Sequence, residues 1–375
     1  MKQSSLKLVA ILSIAFGSVD FAKAQSTDKI NVVTTAVPFL RISPDARGGG
    51  MGETGIATSA DAYSSYWNIA KLPFADKKVN IAATYTPWLS DLQLHDVYLA
   101  TLSGFYQIDD IQAVSASLRY FSLGNIEFTD GVGNWQGTGR PREFSIDAGY
   151  SRKLSSKFGV GIALRYIYSN LTDGASSTST TYQAGTSVAG DLHLFYKGTN
   201  QEGNGFDYGL TLSNLGSKIA YTNDANKKDY IPANLGIGAS YNKVFDADNK
   251  LTLALDLNKL LVPTPPTDAA EYDAYRTKSV TSSWFSSLGD GDDLKEITVS
   301  IGAEYWYQNQ FAFRAGYFYE DATKGDRKYF TLGAGLKYST FGIDFAYLLP
   351  SGSGVNRNPL SNTLRFGIIF DLDKK

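Results

Sequence analysis

The chain has 375 residues, with 35 Lys and Arg against 37 Asp and Glu, a net charge of −2, two histidines and no cysteine. The lack of cysteine excludes disulfides, thiolate metal sites and cysteine nucleophiles, and the near-neutral charge gives no electrostatic footing for nucleic acid as a partner. Aromatic residues make up 13% of the chain and glycine contributes 36 residues. With a mean hydropathy of −0.19, this is what strands alternating between lipid and an aqueous lumen average to.

The chain opens with Lys2 and Lys7, an apolar stretch over Leu8–Val19 and the small-x-small sequence Ala22-Lys23-Ala24. This pattern predicts a secretory signal peptide over residues 1–24, with the mature chain starting at Gln25. A membrane anchor is disfavoured, because Ser13, Gly17, Ser18 and Asp20 interrupt an apolar stretch already short for a span. Residues 25–78 follow. They do not alternate, are rich in small residues, and are predicted to form a hatch or plug folded into a lumen, with a short helix around Ala60 to Tyr66.

From residue 79 onward the pattern has period two. Leu251, Leu253, Leu255 and Leu257 alternate with Thr252, Ala254, Asp256 and Asn258; Leu364, Phe366, Ile368 and Phe370 alternate with Thr363, Arg365, Gly367 and Ile369. Successive strand side chains point to opposite faces, so each segment has an apolar face and a polar or small one. Strands are expected over 79–88, 95–106, 111–121, 144–154, 157–168, 188–197, 204–214, 232–243, 250–259, 295–307, 310–318, 327–338, 340–348 and 361–371, in the length range a tilted membrane-crossing strand needs. Tyrosines at many strand ends suit interfacial girdles. The ionised residues Asp147, Arg165, Asp207, Asp256, Glu304, Arg314, Lys337, Asp344 and Arg365 share the polar face, which requires water or mutual pairing.

The connections alternate in length, every second one being short, as in outer-membrane barrels with tight periplasmic turns and long external loops. The expected fold is therefore all-β: a 14-stranded antiparallel transmembrane β-barrel over 79–375, in the outer membrane of a Gram-negative bacterium. Both termini are then periplasmic, and loops 122–143, 169–187, 215–231, 260–294, 319–326 and 349–360 face outward.

Motifs of other chemistries lack their context. Gly50-Met51-Gly52-Glu53-Thr54-Gly55 has the spacing of a dinucleotide fingerprint but no apolar strand before it; close packing of small residues inside a barrel is the plainer reading. Asp290-Gly291-Asp292-Asp293 departs from calcium-loop spacing. His193 lies near Asp191 on one strand face, without a nucleophile-elbow serine, so neither catalysis nor a cofactor is expected. Loop aromatics are better candidates for recognition. Trp135 and Phe128 lie in loop 122–143, and Tyr272, Tyr275, Trp284 and Phe285 follow the stiff Val262-Pro263-Thr264-Pro265-Pro266 in loop 260–294. The alternative is that these rings pack the loops against one another.

The run Phe39-Leu40-Arg41-Ile42-Ser43-Pro44-Asp45-Ala46-Arg47-Gly48-Gly49-Gly50-Met51-Gly52-Glu53, continuing to Ser65-Tyr66-Trp67-Asn68-Ile69-Ala70-Lys71-Leu72, resembles the PorV family of the Bacteroidota type IX secretion system. That family in turn resembles the FadL-type transporters, fourteen-stranded barrels with an N-terminal hatch. The FadL-like proteins commonly have Asn-Pro-Ala where this chain has Asn68-Ile69-Ala70. The resemblance implies that Gly48, Gly49, Gly50, Met51, Gly52, Trp67 and Asn68 form the hatch motif. It also implies a non-enzymatic role: binding the C-terminal signal domains of exported proteins, docking to an SprA/Sov-type translocon, and passing cargo to a PorU sortase-like surface attachment complex, in contact with outer-membrane lipid or lipopolysaccharide. A FadL-like channel for hydrophobic small molecules is the competing expectation.

Overall fold

The computed structural model describes residues 31–88, 94–171, 173, 182–224, 227–289, 294–349 and 362–372. The expected signal peptide, the acidic turn Asp290–Asp293 and most of loop 349–360 lie outside these residues.

Fourteen strands carry the alternating segments. They are β1 (Val79–Pro87), β2 (Val97–Gln107), β3 (Gln112–Leu123), β4 (Arg142–Lys153), β5 (Phe158–Asn170), β6 (Gly185–Lys197), β7 (Gly205–Gly216), β8 (Asn234–Val244), β9 (Asn249–Leu260), β10 (Ile297–Tyr307), β11 (Phe311–Tyr319), β12 (Lys328–Tyr338), β13 (Phe341–Leu348) and β14 (Leu364–Asp371). Each pairs antiparallel with its sequence neighbours, and β1 closes the barrel on β14 through pairs such as Ile81↔Phe370 and Tyr85↔Phe366. Closure leaves no open sheet edge, the condition for crossing a bilayer with strands.

The facing follows from alternation. On β9, Leu253 and Leu255 are 45% and 40% exposed while Asp256 is fully buried. The outward face elsewhere carries Ile162, Leu164, Val188, Ile237, Ile301, Phe313 and Leu332, all exposed. The inward face buries Asp147, Arg165, Asp207, Glu304, Arg314, Asp344 and Arg365. An apolar exterior around a charged interior inverts a soluble protein and fits a lipid-facing wall. Lys337 lies on the same inward side of β12 as Tyr329, Thr331 and Gly335; near the short-turn end it is partly exposed and pairs with the buried Asp371 at 2.5 Å.

Two belts of rings mark the ends of the wall. Tyr85, Tyr98 and Tyr120 form a row at one end, with centroid spacings of 5.4 and 6.2 Å. At the other, Phe206 meets Tyr241 at 4.8 Å and Phe341 meets Phe370 at 5.5 Å. Amphipathic rings favour the two interfaces.

Several local expectations are corrected. The hatch helix is Ser64–Trp67, not Ala60 to Tyr66; the backbone before it is held instead by hydrogen bonds from the Ala62 and Tyr63 N–H groups to Asn80 and Asp61. His95 sits in an exposed bend outside β2. Loop 122–143 contains a hairpin, Ile126–Thr129 with Trp135–Gly139, and loop 260–294 contains helices α1 (Tyr272–Thr277) and α2 (Val280–Ser286).

Candidate functional site: the plugged lumen and the long-loop end

The hatch runs from the long-loop end to the start of β1. Its first described residues bond to the long loops: the Asn31 N–H donates to the Thr323 carbonyl at 3.0 Å and the Ala36 N–H to that of Tyr230 at 2.9 Å. Val33 is buried with Tyr230, Leu260 and Val262.

Deeper in, backbone meets wall directly. Gly52 has φ +69, and a Cβ there would stand 2.5 Å from the Tyr317 amide nitrogen and 2.6 Å from the Ile301 carbonyl oxygen. Both the left-handed backbone and the space therefore require glycine. The wall answers with glycines of its own. Gly302 and Gly316 receive Met51 and Gly52, Gly333 receives Gly50, and Gly236 and Gly238 receive Ile56. The glycine spacing of 50–55 thus serves close packing, within a hatch turn and not a βαβ unit.

Charge fixes the register of plug on wall. Arg47 donates to both oxygens of Glu304, at 3.0 and 2.7 Å, and to Asp61 at 2.7 Å. Glu304 also accepts from Arg314 at 2.7 Å, and Arg314 reaches Asp344 at 2.6 Å. Arg365 pairs with Glu53 at 2.7 Å. Asp256 accepts the backbone N–H groups of Gly55 and Ile56 at 2.7 and 2.9 Å. Such bidentate and charge-assisted bonds are the strong ones in a water-poor interior. Within the hatch, burial, with Asp61 close by, pushes the Asp45 carboxyl up to about 6, and burial lowers the Lys71 ammonium to about 8.

The expected hatch motif is brought together. Gly48–Gly50 end a short helix, Ala46–Gly50, and Met51 is fully buried after it. The Trp67 ring lies against Gly55, its Nε1 donating to Asp45 at 3.2 Å. Asn68 is fully buried and satisfied: its Oδ1 accepts the Ala70 N–H at 3.0 Å, while its Nδ2 donates to the carbonyls of Ile56 at 3.2 Å and Leu194 at 2.9 Å. That side chain caps the 3₁₀ turn Ile69–Phe74, so the turn starts without a proline at 69. Sequence reasoning missed Arg47, Glu53 and Asp61. The available signal was charge in a small-residue segment that had to enter a lumen lined by ionised side chains. Asp191, singled out beside His193, is instead an ion-pair partner of Arg165 at 2.8 Å.

The recognition candidates divide. Tyr272, Tyr275, Trp284 and Phe285 lie on α1 and α2 between β9 and β10, whereas Trp135 lies between β3 and β4, six strands away around the barrel. Phe285 is 76% exposed and Trp135 66%. Tyr275 packs inward on Tyr230 at 5.4 Å and on Tyr272 at 6.1 Å. Lys218, from the neighbouring loop, donates to the Arg276 and Lys278 carbonyls at 2.6 and 2.8 Å, capping the end of α1 where a cation is favoured. Ser279 caps the start of α2 by accepting the Ser282 N–H. The loop is therefore braced and presents Phe285 outward. Among the described residues, no group of three or more His, Asp or Glu is placed to hold a metal ion.

A fourteen-stranded antiparallel barrel with an apolar exterior and a lumen filled by its own N-terminal segment is a plugged β-barrel of the outer-membrane type. Its fold is that of solved hydrocarbon channels. The Ralstonia pickettii toluene transporter TbuX matches at TM-score 0.52 and 13% identity over 88% of this chain and 97% of its own. A TodX monoaromatic hydrocarbon channel mutant matches at 0.52 and 15%, over 86% and 97%, and the CymD monoaromatic hydrocarbon channel at 0.52 and 13%, over 88% and 98%. At these identities the likeness is one of fold. No curated protein matches in sequence. The family model for type IX secretion system protein PorV matches residues 24–267. The chain belongs to the PorV family, and is an outer-membrane component of type IX secretion.

Proposed function

We propose that this barrel is a cargo receptor: its long loops face the cell exterior, bind the C-terminal signal domains of exported proteins, and pass them from an SprA/Sov-type translocon to a PorU-like surface attachment complex. The observation that carries this reading is the bracing of α1 in loop 260–294 by Lys218 and Tyr230, and of Leu260 and Val262 by Val33 of the N-terminal segment, with Phe285 of α2 76% exposed. A preorganised loop loses little freedom on binding, and an exposed ring on it is a natural anchor. The hatch supports a receptor over an open conduit, because it is tied to the wall by buried ion pairs.

The test is capture of cargo C-terminal domains by wild type, by Trp284→Ala with Phe285→Ala, and by Gly52→Val in the hatch, at equal surface abundance. The loop variant should lose at least tenfold in affinity, since aromatic anchors contribute about 2 kcal/mol or more each, and the hatch variant, which keeps both rings, should lose less. Undiminished capture by the loop variant would rule this loop out as the principal site. Normal secretion in a deletion strain with defective uptake of hydrophobic compounds would replace the receptor reading by the channel one.

A further inference from the structure

Hydroxyl side chains on the inward face of the barrel find protein partners over much of the wall. Ser117 donates to Asp147 at 2.8 Å, Ser240 to the Ala57 carbonyl at 2.8 Å and Thr331 to the Gly50 carbonyl at 3.0 Å. Among the described residues, the buried hydroxyls that bond to no protein group are those of Tyr63, Thr84, Thr86, Thr101 and Ser103. None of these residues is more than 7% exposed.

The five are neighbours. Thr84 and Thr86 flank the outward Tyr85 on β1, so both face inward. Thr101 and Ser103 face inward on β2, and the register sets Thr84 opposite Thr101 and Ala82 opposite Ser103. On its other side Thr84 lies opposite Gly367 of β14. Tyr63 comes from the hatch: a Cβ at Gly367 would stand 2.6 Å from its hydroxyl oxygen. All five hydroxyls therefore share one seam, between the hatch and the wall of β14, β1 and β2.

A buried hydroxyl without a partner loses its hydration and gains nothing in return. Directly opposite side chains of antiparallel strands have their Cβ atoms about 4.5–5.5 Å apart, a span that one bridging water fills, and buried water settles on such polar groups. The seam also has polar ends. Toward the short turns, Asn80 on β1 donates to Asp371, which meets the partly exposed Lys337 at 2.5 Å. Toward the long loops, Thr101 lies opposite Arg119, which lines the cavity above the hatch. The strand from Asn80 to Thr86 covers about 20 Å at ~3.3 Å per residue, or about half of a ~30 Å hydrocarbon layer once strand tilt is allowed for.

We propose that this seam holds a file of water that conducts protons past the seated plug, so that the barrel is shut to solutes and open to the proton. Each hydroxyl can accept one hydrogen bond and donate another. A proton taken up at one end is passed on as O–H bonds form and break along the file, another proton leaves at the far end, and no hydroxyl is consumed. Polar groups held inside a membrane serve proton relays in this way. The inference does not depend on the loops taking cargo.

The experiment is proton flux into liposomes carrying the full-length mature protein, read by an entrapped pH dye after an external pH step, with potassium and valinomycin clamping the membrane potential. Flux should exceed that of protein-free vesicles at least tenfold. Thr84→Val with Thr101→Val keeps the side-chain shape, removes two hydroxyls and should cut the flux at least fivefold. Ser187→Ala, whose hydroxyl is bonded to Ser217 outside the seam, should leave it unchanged. The same vesicles should exclude glucose, which distinguishes a water file from an open lumen. Flux no greater than that of protein-free vesicles, an unchanged flux in the valine pair, or free entry of glucose would each overturn the proposal. Should the valine pair fail to insert, Thr86→Val is measured in its place, with the same loss expected and an unchanged flux again overturning it.

Discussion

Glu304→Ala tests whether buried ion pairs or apolar packing hold the plug. The Glu304 carboxylate is 1% exposed and receives Arg47 from the hatch and Arg314 from β11. Breaking a buried pair by removing one partner costs ~3–5 kcal/mol, mostly because a charge is left uncompensated. Here both guanidinium groups keep a second carboxylate, Asp61 and Asp344, so the low end applies, about 3 kcal/mol. The loss should fall on hatch seating. Residue 304 remains laddered to Thr252 and Arg314 whatever its side chain, so the barrel stays closed. At ~1.4 kcal/mol per decade, the ratio of open to seated hatch rises on the order of 100-fold. The chain has no cysteine, so Ser65→Cys, 6% exposed on the helix Ser64–Trp67, provides a unique probe. Its labelling by an impermeant maleimide, read in detergent at fixed pH, should accelerate on the order of 100-fold in Glu304→Ala and less in Glu304→Gln. Unchanged labelling in a barrel that still migrates faster unheated than boiled would refute the reasoning.

Leu255→Arg should destabilise the inserted barrel by ~2–4 kcal/mol through a cation in lipid, while Asp256→Asn, which still offers an acceptor to Gly55 and Ile56, should cost much less; equal loss of assembly would mean the inward and outward faces are reversed. Gly52→Val should speed Ser65→Cys labelling without opening the barrel, because its Cβ would meet the backbone of Tyr317 and Ile301; wild-type labelling would show that the plug does not rest on that contact. Asp45 favours the seated hatch most when protonated: its stabilising effect is full below about pH 3.8 and is lost as pH rises through about 6. Relative to a free thiol labelled at the same pH, Ser65→Cys should therefore be better protected at pH 4 than at pH 7, and Asp45→Asn should reduce that difference; an unaltered protection profile in the variant would remove Asp45 from the account.

The barrel was legible in the sequence because a membrane wall writes itself in period two. Leu255 and Asp256 need opposite solvents, and one residue of slip exchanges them. The hairpin Ile126–Thr129 with Trp135–Gly139 was not legible, since most of its residues face solvent and no burial imposes alternation on them. Helices α1 and α2 are short and hold their shape through Lys218 and Tyr230 of another loop, a contact that no local pattern encodes. The hatch was legible as a segment without alternation, and Gly48–Gly52, Trp67 and Asn68 could be named. Its partners could not. Arg47 and Glu304 are 257 residues apart, and only closure of the barrel brings them together.

The same closure separates fold from function. Hydrocarbon channels share this wall at 13–15% identity, so the wall alone does not decide what the protein handles. What bears on function lies inside and above it. The plug is fixed by a network that runs Asp61–Arg47–Glu304–Arg314–Asp344 across hatch, β10, β11 and β13, and its leading residues rise to bond with Tyr230 and Thr323 of the long loops. A force on those loops therefore reaches the N-terminal segment directly. Should the loops carry cargo, plug and platform are one braced body, and loosening Glu304 should weaken cargo capture even though Glu304 touches no loop. Measuring capture in Glu304→Ala beside Trp284→Ala with Phe285→Ala separates the two cases: reduced capture in both makes the hatch a mechanical support of the platform, whereas full capture with a loosened hatch makes the platform self-sufficient.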